Sequence, residues 1–151
     1  MILRLILAFL AAVVTTAVLA AAASTQFVLA ELARLGIDIG MGDRLSMTVQ
    51  DIMGMGMMYL PIVAVAFLLA FGIAALVIRY LLPGWLVPGY TLAGFTGILA
   101  ILLIMLAAFG LVPIAGARSI PGMLSQGLAG AVGGYLFARM ISSRSAAAVN
   151  G

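Results

Sequence analysis

Methionine is the residue type whose spacing stands out first. Met41, Met47, Met53, Met55, Met57 and Met58 crowd one stretch, and Met53-Gly54-Met55-Gly56-Met57 alternates thioethers with glycines. Thioether sulfur is a soft donor suited to Cu(I), which makes Met53, Met55 and Met57 a candidate soft-metal site. In a helix, Met53 and Met57 share a face while Met55 points away, so joint ligation requires irregular backbone. The plainer reading is preferred: methionine fills space flexibly, beside glycines that let backbones pack closely.

A second constellation is polar. Asp51 precedes the Met-Gly run, Arg118 lies in a short later loop, and Gln126 falls in a late apolar segment. An ionisable group at a membrane edge can line a polar pocket or an entry path. Asp51, Arg118 and Gln126 are therefore a candidate extracytoplasmic site. The structural alternative, a tie between Asp51 or Asp43 and Arg118, is preferred, because ion pairs order charged groups without doing chemistry.

The residue inventory narrows the chemistry further. There is no Cys and no His, which removes thiol nucleophiles, imidazole acid–base catalysis and zinc sites of the usual kind. No paired carboxylates, nucleophile–base pair or phosphate-cradling loop appears. The reading is non-enzymatic, with no catalytic residue and no cofactor. Proton- or sodium-driven transporters usually bury ionisable groups in their spans, and those are missing here too.

The elements that must hold these residues are membrane helices. Of 151 residues, 66% are hydrophobic and 7% charged, with a mean hydropathy of +1.36. A soluble domain carries charge on about a quarter of its residues, so lipid must cover this surface. The basic pI rests on dispersed arginines, and nucleic acid is not an expected partner. A span needs ~20 apolar residues, and four windows qualify: 3–23, 58–82, 88–112 and 121–140. Arg4, Arg79 and Arg139 sit near their ends, where they snorkel. Pro83-Gly84, Pro88-Gly89, Pro113 and Pro121-Gly122 mark the borders, and Tyr59, Tyr80, Trp85, Tyr90 and Tyr135 form an interfacial belt. The predicted fold is all-α, a single domain of four transmembrane helices.

Between the first two spans, residues 24–57 form a polar cap holding every acid: Glu31, Asp38, Asp43 and Asp51. No Gly or Pro occurs between Met1 and Leu35, so the first helix is expected to continue to Gly36. The rival reading breaks it at Ser24-Thr25 and lays residues 25–35 on the membrane surface. A loop to Asp43 and a short helix capped by Ser46 or Thr48 should follow, with Pro61 in the first turn of the second span.

In the fourth window Gly127, Gly130, Gly134 and Ala138 make a small-residue packing face. The partner surfaces on offer are Ala8, Ala12, Thr16 and Ala20 of the first helix, and Gly94 and Gly97 of the third. Packing within the chain is the default, and self-association comes second.

The positive-inside rule puts Arg4, Arg79, Arg139 and Arg144 in the cytoplasm, against Arg34, Arg44 and Arg118 outside. Both termini are then cytoplasmic and the cap is extracytoplasmic. The start resembles a signal peptide with an Ala-x-Ala site, which enters in the same direction. Abundant Ala, Gly, Leu and Arg point to a GC-rich bacterial genome, hence a bacterial inner membrane. Two roles follow. One is an accessory or scaffolding subunit that binds other membrane proteins or itself through small-residue faces. The other is a small transport or ligand-handling protein working at the extracytoplasmic mouth.

Overall fold

The computed structural model describes residues 2–111 and 114–142. They form four α-helices with no strand among them: α1 (Ile2–Arg34), α2 (Met41–Tyr80), α3 (Leu86–Phe109) and α4 (Ile120–Ser142), with a 3-10 turn at Ala115–Ala117 before α4. Each helix packs on its neighbours in sequence, and α4 closes the ring against α1. α1, α2 and α3 are long and apolar enough to cross a membrane. α4 is not among those three, because its glycines, Ser125 and Gln126 dilute its apolar character.

α1 is unbroken to Arg34. Gly36 adopts φ +80°, its N–H donates to Ala33 O (3.1 Å), and the Ile37 N–H donates to Leu32 O (3.1 Å). That pair of bonds is a Schellman C-cap, which glycine supplies because it enters the left-handed region without a Cβ penalty. Ser24 and Thr25 do not interrupt the helix, since both hydroxyls find partners (described below).

α2 corrects four expectations. The loop ends at Gly40 and not Asp43, and no separate short helix precedes the span. A single 40-residue helix runs from Met41 through the Met-Gly run to Tyr80. Thr48 caps nothing; its hydroxyl donates back to Arg44 O at 2.8 Å, an i−4 bond within the helix. Pro61 lies deep inside α2 rather than in its first turn. A transmembrane helix packed among neighbours tolerates this.

Further caps follow sequence chemistry. Gly110 (φ +68°) ends α3, its N–H donating to Leu106 O at 2.9 Å. Ser119 precedes α4 and its Oγ accepts the Gly122 N–H at 3.2 Å, an N-cap bond.

Close backbone contact sets the α3–α4 pair. A Cβ at Gly94 would collide with Gly130 O, one at Gly130 with Gly94 O, and one at Gly134 with Tyr90 O. The predicted stripe is therefore used within the chain, against α3. The α1 surface Ala8, Ala12, Thr16 and Ala20 is buried as well. It meets a different line of α4, where Gly133 faces Thr16 and Ala12 and Gln126 faces Ala20. Gly97 turns to Ala70 of α2 instead.

At the opposite end from the Met-Gly run, every helix contributes a ring to one cluster. Phe9, Phe71, Tyr90 and Phe137 come from α1 to α4 in order, and Phe67 of α2 stacks on Phe71 at 4.5 Å. Lengths complete the picture. At 1.5 Å per residue, α1 spans ~50 Å and α2 ~60 Å, against ~30 Å of hydrocarbon. Gly89 lies against Ile78 and Gly97 against Ala70, an antiparallel register that brings the end of α3 level with about Met58. The end of α1 and the start of α2 continue beyond that level as a two-helix hairpin.

Candidate functional site

The polar residues gather around α1, and each meets a different part of it. Gln126 is fully buried, and its Nε2 donates to Ala20 O at 3.0 Å. The Thr25 hydroxyl donates to Asp51 Oδ2 at 2.8 Å and lies 3.0 Å from Ala21 O. Ser24 Oγ accepts the Gly116 N–H at 3.1 Å, fixing the 3-10 turn against α1. The Thr16 hydroxyl donates to Ala129 O of α4 at 3.3 Å. In the outer hairpin, Gln26 Nε2 donates to Thr48 Oγ1 at 3.3 Å. α1 is thus tied by side-chain hydrogen bonds to α2, to the turn and to α4.

The three candidate polar residues do not converge. Asp51 is engaged by Thr25. Arg118 lies on the outside, in a cleft of about 740 Å³ that it shares with Phe27, Glu31 and Arg34. Gln126 is enclosed. Neither do the methionines converge, because the run is regular helix. Met53 and Met57 face outward, 71% and 74% exposed, while Met55 packs against the core. The irregular backbone that a three-sulfur site requires is not formed here.

Sequence reasoning missed Ser24 and Thr25 as polar partners, and Tyr59 as a buried polar group. The signal for the first two was a hydroxyl pair inside an otherwise unbroken alanine-rich helix, where a buried hydroxyl must find an acceptor. Tyr59, expected at the interface, is only 4% exposed, and its hydroxyl has no hydrogen-bond partner. Gln126 Oε1 is likewise buried and unpaired. Tyr59 and Gln126 line one void with Ala20, Ala21, Met55 and Ile114, too tight for a water molecule. The amide orientation is fixed, because turning it over would set Oε1 against Ala20 O. An unpaired buried polar group costs about 1–3 kcal/mol. Tyr59→Phe is therefore expected to leave the thermal unfolding midpoint in detergent unchanged or higher. A fall in that midpoint would mean that the hydroxyl has a partner in the folded protein.

Charge is segregated along the bundle. Glu31, Arg34, Asp38, Asp43, Arg44, Asp51 and Arg118 occupy the hairpin end, and Glu31 pairs with Arg34 at 3.8 Å on an exposed face. Among the described residues the other end carries Arg4, Arg79 and Arg139 and no acid. Arg79 and Arg139 lie over the rings of Tyr80 and Tyr135, at 5.7 and 5.9 Å from the centroids.

An all-helical bundle whose outer surface is apolar, with three helices able to cross a membrane, defines a membrane-type helical protein. No protein-family model, curated protein or solved structure matches the chain.

Proposed function

We propose that this chain is a non-enzymatic accessory or scaffolding subunit of a bacterial inner membrane. It crosses the bilayer four times, with both termini cytoplasmic, and presents the α1–α2 hairpin on the extracytoplasmic side. One observation carries the reading. The hairpin rises beyond α3 and, outward of about Asp51, beyond α4, yet exposes large apolar side chains: Met41 86%, Leu45 68% and, level with the start of α4, Met53 71%. Outside hydrocarbon, such a surface marks a protein–protein contact, and methionine suits it because its flexible thioether adapts to a partner. The predicted small-residue face of α4 is occupied within the chain, so association passes to the hairpin. The tight void at Gln126 supports the same reading over a hydrated transport path.

Affinity capture of the full chain in mild detergent, with mass spectrometry, tests this. A co-purifying membrane protein, or a second copy, should be lost when Met41, Leu45 and Met53 are all changed to serine. Capture that survives those changes, or no partner at all, would overturn the reading. Ligand handling at the mouth is the second reading, favoured by the cleft beside Arg118. It predicts that widening or blocking that cleft alters uptake and leaves partner capture intact.

The topology is open to a direct check, because the chain has no native cysteine. Single cysteines at Asp38 and Ser119 should react with an impermeant maleimide on intact spheroplasts, and those at Gly84 and Ser142 only after lysis. Labelling of position 142 together with position 119 would show that α4 does not cross.

A further inference from the structure

The methionines at the start of α2 look alike in sequence, and the fold parts them. Met41, Leu45, Val49 and Met53 follow one another at four-residue steps, all exposed, and Met47 beside them is exposed as well. Met55, two residues on from Met53, packs against the core instead. The helix itself is the cause, because a step of two at 3.6 residues per turn carries a side chain to the far face. Depth divides them further. At 1.5 Å per residue, Met41, Met47 and Met53 stand about 7 Å or more outward of Met58, the level at which α3 ends. A lipid or detergent belt around the bundle therefore leaves these three in water, while Met57 and Met58 meet its edge.

We propose that Met41, Met47 and Met53 are sites of reversible oxidation by hydrogen peroxide, and that their sulfoxides release the partner held by the hairpin. Release rests on the docking reading above, whereas oxidation rests on exposure alone. The chain has no Cys, so methionine is its only sulfur, and thioether oxidation follows accessibility. In the step, the thioether sulfur attacks one peroxide oxygen and the O–O bond breaks. That oxygen stays as the sulfoxide S=O and the other leaves as water. Sulfur gives up two electrons, which the peroxide takes. A methionine sulfoxide reductase reverses the change, its thiols becoming a disulfide as the oxygen departs in water.

Oxidation turns a flexible apolar side chain into a polar one. On this surface it removes the apolar match to a partner. The bundle itself is left alone, because none of the three side chains is among those packed against the core.

Peroxide treatment of the full chain in mild detergent, read by tandem mass spectrometry of its peptides, tests the sites. Met41, Met47 and Met53 should gain oxygen about tenfold faster than Met55. Met55 keeping pace with Met53 would overturn the assignment. The purified chain then serves as bait for solubilised membranes, either untreated, oxidised, or oxidised and restored by methionine sulfoxide reductases with a thiol. Capture should fall about tenfold on oxidation and return on reduction. A chain with Met41→Leu, Met47→Leu and Met53→Leu should hold its partner with or without peroxide. Capture that oxidation leaves intact would overturn the switch, as would loss of capture from the peroxide-treated leucine variant. So would a lower unfolding midpoint once these three alone are oxidised, which would place the damage in the fold. Absence of any partner for the untreated chain would overturn docking and release together, and the order of oxidation would still decide the sites.

Discussion

Gly130→Ala is expected to lower the unfolding midpoint of the detergent-solubilised protein by about 4–8 °C, a net loss of about 2 kcal/mol at roughly 2–4 °C per kcal/mol for a chain of this size. The added methyl group would collide with the Gly94 carbonyl and press on Ile98 Cγ1, 2.6 Å away. A backbone oxygen cannot rotate aside as a side chain can, so α3 and α4 must separate. Separation forfeits the neighbouring contacts of Gly94 and Gly134 as well. Overpacking of this kind costs about 1–3 kcal/mol and occasionally more. Helix propensity returns up to about 1 kcal/mol of it. The matched control is Gly72→Ala in α2, where nothing lies within 4 Å of the new methyl. There propensity acts alone and the midpoint should rise. Circular dichroism melts of both variants decide the matter, and equal shifts would refute close packing between α3 and α4.

Phe71→Ala should be the most damaging single truncation. Its ring stacks on Phe67 (4.5 Å) and Phe137 (4.7 Å) and meets Tyr90 and Phe9 edge-on at 5.4 and 6.4 Å. One side chain therefore joins all four helices. In water-soluble cores such a change costs roughly 3–5 kcal/mol, part transfer and part cavity. In a bilayer the transfer part shrinks, because lipid tails are as apolar as the core. What remains is lost contact across the cavity, together with aromatic pairs worth about 0.5–1.5 kcal/mol each. The expected loss sits near the lower end of that range. Titration with a denaturing detergent, followed by far-UV circular dichroism, should show Phe71→Ala unfolding well before wild type and Phe71→Leu in between. Coincident curves would mean that the rings touch without stabilising the bundle.

Much of the architecture was legible one residue at a time. The absence of Gly and Pro before Leu35 anticipated an unbroken α1, and Gly36 supplied its stop. The borders at Pro83-Gly84 and Pro121-Gly122 lie close to the observed helix ends. The separate short helix before the second span was misplaced for a physical reason. Ser46, Thr48 and the glycines 54 and 56 weaken a helix locally, yet α1 packs alongside and stabilises it through Thr25–Asp51 and Gln26–Thr48. Contacts from a residue far away in sequence overrode local preference.

The candidate site shows the same division. Composition, the length of the apolar runs and the position of every acid establish a membrane-type helical protein with its polar groups at one end. These are properties of a one-dimensional pattern, because crossing a bilayer depends on length and polarity before it depends on partners. Which polar group meets which is another matter. Asp51 pairs with Thr25, Gln126 hangs from Ala20, and Arg118 turns to the outer cleft, because the register and rotation of four helices place them there. The tertiary structure alone decided that the glycine stripe of α4 is spent on α3. It also decided that the apolar surface left open lies on the hairpin.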